Sequence, residues 1–459
     1  AWQVAAVGAC ALGALCKESI VTAPLALWLF DTAFFSASPL EALKRRRWLY
    51  LGLIASWALL FVLNASGPRS NSAGFASGIS PWLYLLNQGP ILLHYFQRAL
   101  VPLGLVFDYG VPRAVTVSEA LPAVAVVAAL AIAAVGSWRL DRRLGFLATF
   151  VFITLAPTSS VVPIATEVGA ERRMYLALAS LTIGLAVVAV RLLRRPAAAP
   201  AALTAVAVVF LALTVARNAD YHDPIHLWQT VVDRYPHGRA HYGVAMALKA
   251  AGRTEDSRRE MLLASRDFAD ADYALGFDLS NDGRHEEAIG YLQRYVADKP
   301  DDLNVVRAYT LIGRSLLALD RPAAAAVAFR EALARRQNTS DALAGLGDSL
   351  VRLERFEEAI PTYEAYFGGV TTSAPAYFNY GLALAGRGRQ REAAAAFQRA
   401  STLNPRDPAA QANLGGALAA LGDRDGAIAA YQRVMVLDPD PQARAALQQI
   451  IADLQAAAR

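Results

Sequence analysis

The C-terminal half of the sequence repeats itself every 34 residues, and this period restricts the fold more than any other feature. Each regular unit has a glycine, a leucine three residues later, and then an alanine and an aromatic residue at fixed distances. Small residues let two antiparallel helices approach, and the larger side chains fill the space between them. The pattern therefore predicts an α-solenoid of stacked helical hairpins. Its glycines and aromatic residues are Gly313, Gly347, Gly381, Gly415, Phe329, Tyr363, Phe397 and Tyr431.

This pattern resembles the tetratricopeptide repeat. Looser units precede the regular ones, so we predict a repeat domain over 218–458. It comprises a half unit at 224–236, six repeats over about 238–440 and a capping helix at 441–458. Such an array exposes a groove lined by the first helix of each pair, so the predicted partner is a protein or peptide.

The N-terminal half contains apolar stretches of the length that a membrane-spanning helix needs, about 20 residues. We predict a multi-span transmembrane domain over 1–217, and the fold class is all-α: a polytopic transmembrane helix bundle followed by an α-solenoid. The predicted localisation is an integral membrane protein, of the bacterial inner membrane. The predicted spans are 1–16, 19–36, 48–63, 119–138, 144–165, 174–190 and 197–216.

Clusters of basic residues between these spans indicate their orientation. Loops at 44–47, 139–143 and 191–195 are rich in Lys and Arg, which is typical of cytoplasmic loops. The stretch 82–104, interrupted by Pro90 and striped with polar residues, is interpreted as a helix that lies in the membrane interface or dips into the membrane against protein. This topology predicts that the repeats lie outside the cytoplasm. The net charge of +5 is accounted for by these loops, so no nucleic-acid partner is predicted.

Three groups of ionisable residues stand at predicted membrane boundaries, where charge is costly and is often kept for function. Alternatives remain open for each group. The first pair can cap a helix or anchor at the interface, the arginines can be snorkelling anchors, and the aspartate can be an ordinary loop residue. The three groups are Lys17-Glu18, then Asp108-Tyr109, and then Glu171, Arg172, Arg173 and Tyr175.

These groups, in this order and fused to repeats, resemble one family. It is the C-type glycosyltransferases that use lipid-phosphate sugars, and above all the transmembrane-and-TPR protein O-mannosyltransferases and their bacterial counterparts. The resemblance also includes Arg217-Asn218 with Tyr221 at the start of the repeat half. It implies an enzyme of the extracytoplasmic membrane face, with membrane lipid around it and a polyprenyl-phosphate sugar as donor.

The resemblance also implies roles for single residues. Lys17 and Arg172 would hold the phosphate of the donor through charge-assisted hydrogen bonds, in a substrate-binding set that includes Arg173 and Tyr175. Glu18, Glu171 and Asp108 would be the catalytic or orienting carboxylates. The principal carboxylate of the family lies in the first extracytoplasmic loop, which this sequence lacks. The chain therefore resembles an N-terminally truncated member, and we expect this fragment to be inactive.

No cofactor and no metal site are predicted, although the resemblance leaves a divalent cation open. The histidines at 222, 226, 237 and 241 have a spacing that can hold zinc on a helix, but solvated or packed histidines explain them more simply. Two rival functions are a non-enzymatic, membrane-anchored TPR scaffold for protein assembly and an O-antigen-ligase-like polysaccharide enzyme.

Overall fold

The computed structural model describes residues 2–16, 18–65, 79–159, 163–164, 166–193, 198–336, 339–369, 372–437 and 440–456, without the side chains of 18, 19, 60 and 63–65. Helices joined by loops make up the described residues, so the predicted all-α fold class is confirmed. The chain divides into two compact units, Ala1–Glu260 and Met261–Arg459.

Unit 1 (Ala1–Glu260) is built from apolar helices followed by the first amphipathic ones. In it α1 packs on α4, α5 on α6, and α7 on α2, α6 and α8. Short 3-10 helices occupy Glu18–Thr22, Ser137–Arg139 and Glu171–Met174. The helices are α1 (Trp2–Cys16), α2 (Ala23–Phe34), α3 (Pro39–Arg45), α4 (Arg47–Ala65), α5 (Pro81–Leu100), α6 (Val117–Gly136), α7 (Arg142–Leu155), α8 (Tyr175–Leu192), α9 (Ala198–Asp220), α10 (Pro224–Arg234), α11 (Gly238–Ala250) and α12 (Thr254–Ala264), which contains the border between the units.

Three helices of the described residues are long and apolar enough to span a membrane: Val117–Arg139, Glu171–Leu192 and Ala198–Asp220. They coincide with the predicted spans at 119–138, 174–190 and 197–216. A fourth candidate is bent by 110° between Ile20–Phe34 and Pro39–Arg45. The count by length and composition is therefore three, or up to four, where seven spans were predicted.

The predicted span 144–165 is wrong in its length, because α7 ends at Leu155. Its 14 residues rise about 21 Å, which is less than the roughly 30 Å of a hydrocarbon core. Pro157 lacks the N–H that would donate to the Ile153 carbonyl, and the chain turns there, with the amides of Thr158 and Ser159 donating to the Leu155 carbonyl.

Unit 2 (Met261–Arg459) consists of helix pairs in which a first and a second helix alternate along the chain. Each helix packs against its neighbours in sequence, as expected for a solenoid. The first helices are α13 (Ala269–Asn281), α15 (Val305–Ala318), α17 (Ser340–Arg352), α19 (Ala374–Gly386) and α21 (Pro408–Ala420). The second helices are α14 (His285–Asp298), α16 (Pro322–Arg335), α18 (Phe356–Phe367), α20 (Gln390–Leu403) and α22 (Arg424–Leu437), and α23 (Pro441–Ala456) follows them.

The repeated glycine and aromatic residue of each regular unit face each other across the helix pair. A Cβ atom added at Gly381 would lie 2.6 Å from the Phe397 ring, and one at Gly347 would lie 2.6 Å from the Tyr363 ring. Both rings are buried. The predicted packing of the repeats is therefore confirmed.

The predicted domain boundary at 217/218 stays a prediction. The helices α10 and α11, predicted as the first repeat helices, belong to unit 1, because loops between the apolar helices pack on them. The helix α23 lies where the capping helix was predicted.

Candidate functional site

The predicted group at Lys17 and Glu18 is only partly within the described residues. Lys17 lies outside them, and Glu18 begins a 3-10 helix whose first side chain is likewise outside them. The predicted approach of Lys17 to Arg172 therefore stays a prediction.

The second and third predicted groups meet through a hydrogen bond between Tyr109 and Glu171. Tyr109 lies in the loop that joins α5 to α6, and its hydroxyl donates to Oε1 of Glu171 at 3.1 Å. The amide of Val106, in the same loop, donates to the same oxygen at 2.6 Å. Burial, and then the negative charge of Glu171, raise the pKa of the Tyr109 hydroxyl, so this side chain remains a hydrogen-bond donor.

Asp108, the neighbour of Tyr109, holds the same loop against the start of α11. Its Oδ1 atom accepts hydrogen bonds from the Gly110 amide at 2.8 Å and from the guanidinium of Arg239. Nε2 of His237 lies 3.9 Å from Oδ1. Gly110 has a φ of +78°, and a Cβ atom there would lie 3.1 Å from the His237 ring, so a residue with a side chain would be strained.

Arg172 and Arg173 are adjacent in sequence but differ in surroundings. The Arg173 side chain is only 4% exposed and donates to the Tyr84 hydroxyl, to the carbonyls of Thr158 and Val168, and to Glu167. The Arg172 side chain is 68% exposed and makes a 2.6 Å ion pair with Glu167. Tyr175, at the start of α8, is also exposed. Arg172 is therefore the cation of this pair that a ligand can reach, while Arg173 fixes the loop.

Two further arginines near Glu171 had no role in the sequence-based prediction. Arg217 and Arg234 both attract the Glu171 carboxylate. Nη1 of Arg217 donates to Asp220 at 2.9 Å, while its Nε and Nη2 atoms are buried without a hydrogen-bond partner among the described residues. The sequence pointed to Arg217 only through its place in the motif Arg217-Asn218. Nothing in the sequence pointed to Arg234 as a site residue, because it lies in the lone helix that was assigned to the repeats.

Aromatic rings close this site on one side. The ring of Tyr109 packs edge-on against Tyr235 at 5.0 Å and against His94 at 5.3 Å between centroids. The Tyr235 hydroxyl lies 3.3 Å from Nδ1 of His94. Burial raises the pKa of the Tyr235 hydroxyl.

We use the term motif cluster for the charged side chains that this arrangement brings together. Guanidinium groups outnumber carboxylates in it, so it favours an anionic ligand beside the exposed Arg172. The cluster consists of Asp108, Glu167, Glu171 and Asp220 with Arg172, Arg173, Arg217, Arg234 and Arg239.

In the described part of the chain, no group of three or more His, Cys, Asp or Glu side chains could hold a metal ion. Three of the four mid-chain histidines have polar contacts instead. His226 pairs with Asp220 at 3.2 Å, His237 accepts from the amide of Ala240 and caps α11, and His241 lies 2.7 Å from Glu260.

The first helices of the repeats form a second surface with functional potential. Between α18 and α19 the rings of Phe367 and Tyr377 stack at 4.1 Å between centroids, and Tyr380 lies beside them. Asp348, on α17, accepts from the Tyr363 hydroxyl and from the Asn379 amide at 2.7 Å. These polar bonds and stacked rings fix the surface that consecutive first helices present.

Comparison with known families identifies the repeats. Two family models, both described as tetratricopeptide repeat, match residues 310–369 and 384–450. The C-terminal region therefore carries tetratricopeptide repeats, which are protein-interaction modules, as predicted. Neither match reaches the residues before 310, so the glycosyltransferase resemblance of the N-terminal part stays a prediction. No curated protein matches the chain.

Solved structures similar to this chain include a MamA fragment and YrrB. MamA 41-end from Desulfovibrio magneticus RS-1 is 25% identical with a TM-score of 0.34, and the match covers 37% of this chain and 94% of that one. YrrB, described as a TPR protein with an unusual peptide-binding site, is 22% identical with a TM-score of 0.36, and the match covers 39% of this chain and 91% of that one.

Proposed function

We propose that this protein is an integral membrane glycosyltransferase of the C type, whose tetratricopeptide repeats bind a protein acceptor or partner. The membrane location is supported by the surface of the three candidate spans. Their apolar side chains point outward, and Ile132, Leu211 and Val215 are 73%, 64% and 63% exposed. Continuous apolar surface of this extent is not kept in water but is stable in lipid.

The proposed orientation has the motif cluster and the repeats outside the cytoplasm. The basic residues at 139–143 support it, because they follow α6 at the opposite end from the loop that holds Asp108. Arg142 there donates to the Ser36 carbonyl, shortly before the basic residues at 44–47. A phosphatase fused after Arg459 should be active in intact cells, and a reporter that fluoresces only in the cytoplasm should stay dark there. Fluorescence from the second fusion would reject the orientation.

The single observation that carries the proposed activity is the bond between Tyr109 and Glu171. It unites two of the motifs through which the sequence resembles lipid-phosphate-dependent glycosyltransferases, and these motifs are 62 residues apart. Arg217, from a further motif of that resemblance, attracts the same carboxylate. A shared catalytic site is the simplest reason for motifs distant in sequence to converge.

The roles follow from exposure and hydrogen bonding. Arg172 exchanges its ion pair with Glu167 for the phosphate of a polyprenyl-phosphate sugar, with Lys17 and Tyr175 as further contacts. Glu171 binds Tyr109 and Val106 through Oε1 and orients the reacting groups. Asp108 holds the loop in place, and Arg173 fixes the backbone from which Arg172 projects.

Binding of undecaprenyl phosphate to the purified full chain in detergent tests the donor site without requiring turnover. Loss of a charge-assisted bond costs about 1.5–3 kcal/mol, so Arg172→Ala should weaken binding by about 10- to 150-fold. The matched control is Arg191→Ala, at the other end of α8, where an exposed arginine pairs with Asp141 at 2.7 Å. The control should bind as the unchanged protein does.

Equal binding by both variants, or no binding by the unchanged chain, would contradict the donor site. The second candidate function would then explain the protein better. In it the protein is a membrane-anchored scaffold whose repeats bind partner proteins. The observation that favours it is the repeat array itself, which binds proteins without any help from the motif cluster.

A further inference from the structure

An apolar cavity of about 520 Å³ opens between α2, α6 and α7 in unit 1. Its size is in the range of pockets that hold small ligands. It is lined mainly by hydrocarbon and aromatic side chains, among them Leu29, Ala131, Val135, Trp138, Phe152 and Ile153.

The polar groups in the wall of this cavity are bonded within the protein. The hydroxyl of Thr32 donates to the Trp28 carbonyl at 2.8 Å, and the hydroxyl of Thr149 donates to the Gly145 carbonyl at 2.7 Å. The indole N–H of Trp138 donates to Thr149 at 3.3 Å. Because an ordered water needs several polar partners, this wall favours hydrocarbon over water.

A polar pocket of about 490 Å³ adjoins the cavity across the start of α3. Pro39, the first residue of α3, lines the apolar cavity, whereas Lys44 and Arg45, in its last turn, line the polar pocket and are exposed. Glu41, in the same pocket, accepts the Ala37 amide at 2.7 Å. The helix α3 therefore lies between an apolar cavity that can hold hydrocarbon and a polar pocket that can hold an anion.

The cations near this pocket exceed the carboxylates that neutralise them. Arg46 is paired with Asp31, which also accepts the Tyr50 hydroxyl at 2.8 Å. Arg142 donates to the Ser36 carbonyl at 3.1 Å, and Arg143 lies over the Phe34 ring at 5.9 Å. A phosphate is the anion that matches such a cationic rim next to an apolar cavity.

We propose that this pair of pockets binds an anionic phospholipid, with one acyl chain in the apolar cavity and the phosphate beside Lys44 and Arg45. The inference rests on the membrane location proposed above. It assigns a lipid site separate from the motif cluster. The cavity lies at the end of α6, whose 20 residues extend about 30 Å from the loop that carries Asp108.

Lipid binding by the purified full chain, measured by native mass spectrometry, tests the acyl-chain half of the site. The probes are phosphatidylglycerol and phosphatidylcholine with the same acyl chains. Ala131→Trp fills the cavity and should reduce retention of phosphatidylglycerol at least tenfold. Ala128→Trp is the matched control, because Ala128 is exposed on the same helix and does not line the cavity. It should leave retention unchanged.

The phosphate half is tested by the double variant Lys44→Gln and Arg45→Gln. A basic residue near an anionic lipid surface contributes about fivefold, so we expect about 30-fold weaker phosphatidylglycerol binding and unchanged phosphatidylcholine binding. Arg47→Gln, just after α3 and outside the polar pocket, is the control.

Equal retention of both lipids by the unchanged protein, or equal effects of each variant and its control, would overturn this proposal. Displacement of phosphatidylglycerol by undecaprenyl phosphate that depends on Ala131 would also overturn it, because the cavity would then serve the donor. Extraction of the chain from membranes by alkaline carbonate distinguishes a failure of the proposed membrane location from a failure of the proposed lipid site. A chain that is extracted refutes the membrane location, whereas an embedded chain without lipid preference refutes only the lipid site.

Discussion

The helices of the two units hold their neighbours by different means. In unit 2 each helix contacts the helices next to it in sequence, and consecutive first helices also touch, as α15 and α17 do. An aromatic ring fits against a glycine of the preceding helix, as Phe397 does against Gly381. In unit 1 the buried guanidinium of Arg173 joins the α5 side chain of Tyr84 to the carbonyls of Thr158 and Val168 in a loop.

This difference shows how function and stability are distributed. A contact that repeats with a fixed period is local, and each unit can keep it without the rest of the chain. A buried cation in a loop needs all its partners at once, because an unpaired charge in the interior is costly. The first arrangement suits a modular protein-binding array, and the second suits a fixed site built from distant segments.

The largest expected effect is a difference in how the two units behave when they are expressed as separate segments. The segment 265–459 should fold alone in water, because the large hydrophobic core of unit 2 lies entirely within it. Circular dichroism should show a helical protein with cooperative urea unfolding. The segment 1–264 should need detergent to remain soluble. An unfolded 265–459 segment would contradict the modular character of unit 2.

The next prediction concerns the two adjacent arginines of unit 1. Removing a fully paired, buried cation typically costs about 3–5 kcal/mol, so Arg173→Ala should strongly lower the thermal stability of the full chain in detergent. Arg172→Ala is the matched control and should cost less than about 1 kcal/mol, because that side chain is 68% exposed. Similar stability losses for the two variants would contradict the proposal that Arg173 fixes the loop while Arg172 is free to bind a ligand.

Within unit 2, overpacking the contact between glycine and ring should cost less. Gly381→Trp should destabilise the segment 265–459 by about 3 kcal/mol in urea unfolding, since even a Cβ atom there meets the Phe397 ring at 2.6 Å. Gly416→Trp is the control, because its nearest neighbour would be the Tyr431 hydroxyl at 3.7 Å. Equal destabilisation of the two would show that the repeats do not depend on this contact.

The smallest effect concerns the turn between the two helices of a pair. One residue in each of four turns has positive φ, at 34-residue intervals, and two of the four are not glycine. Glu354, with a φ of +56°, is one of these two. Glu354→Gly should therefore stabilise the segment by about 1 kcal/mol, while Gly388→Ala, at a φ of +74°, should destabilise it by a similar amount. A loss of stability in Glu354→Gly would reject this reading of the turns.

The sequence by itself determined the repeat helices, because their packing partners recur at fixed spacing. Gly347 and Tyr363 could be paired from the period alone. It also located the three apolar helices that are long enough to span a membrane, since length and composition decide that property. It did not predict where α7 ends, because its apolar pattern continues past Leu155, whereas the chain turns beside Pro157, which has no amide to donate to the Ile153 carbonyl.

Only the tertiary structure decided the surroundings of the predicted site residues. The sequence-based prediction placed both Arg172 and Arg173 in the substrate-binding set, yet one is exposed and the other is buried among loop carbonyls. It also gave no role to Arg234, which donates to the Leu105 carbonyl at 2.6 Å, next to the Val106 amide that binds Glu171. The physical reason is that charge–charge contacts act through space between segments far apart in the chain, and no local period records which segments will meet.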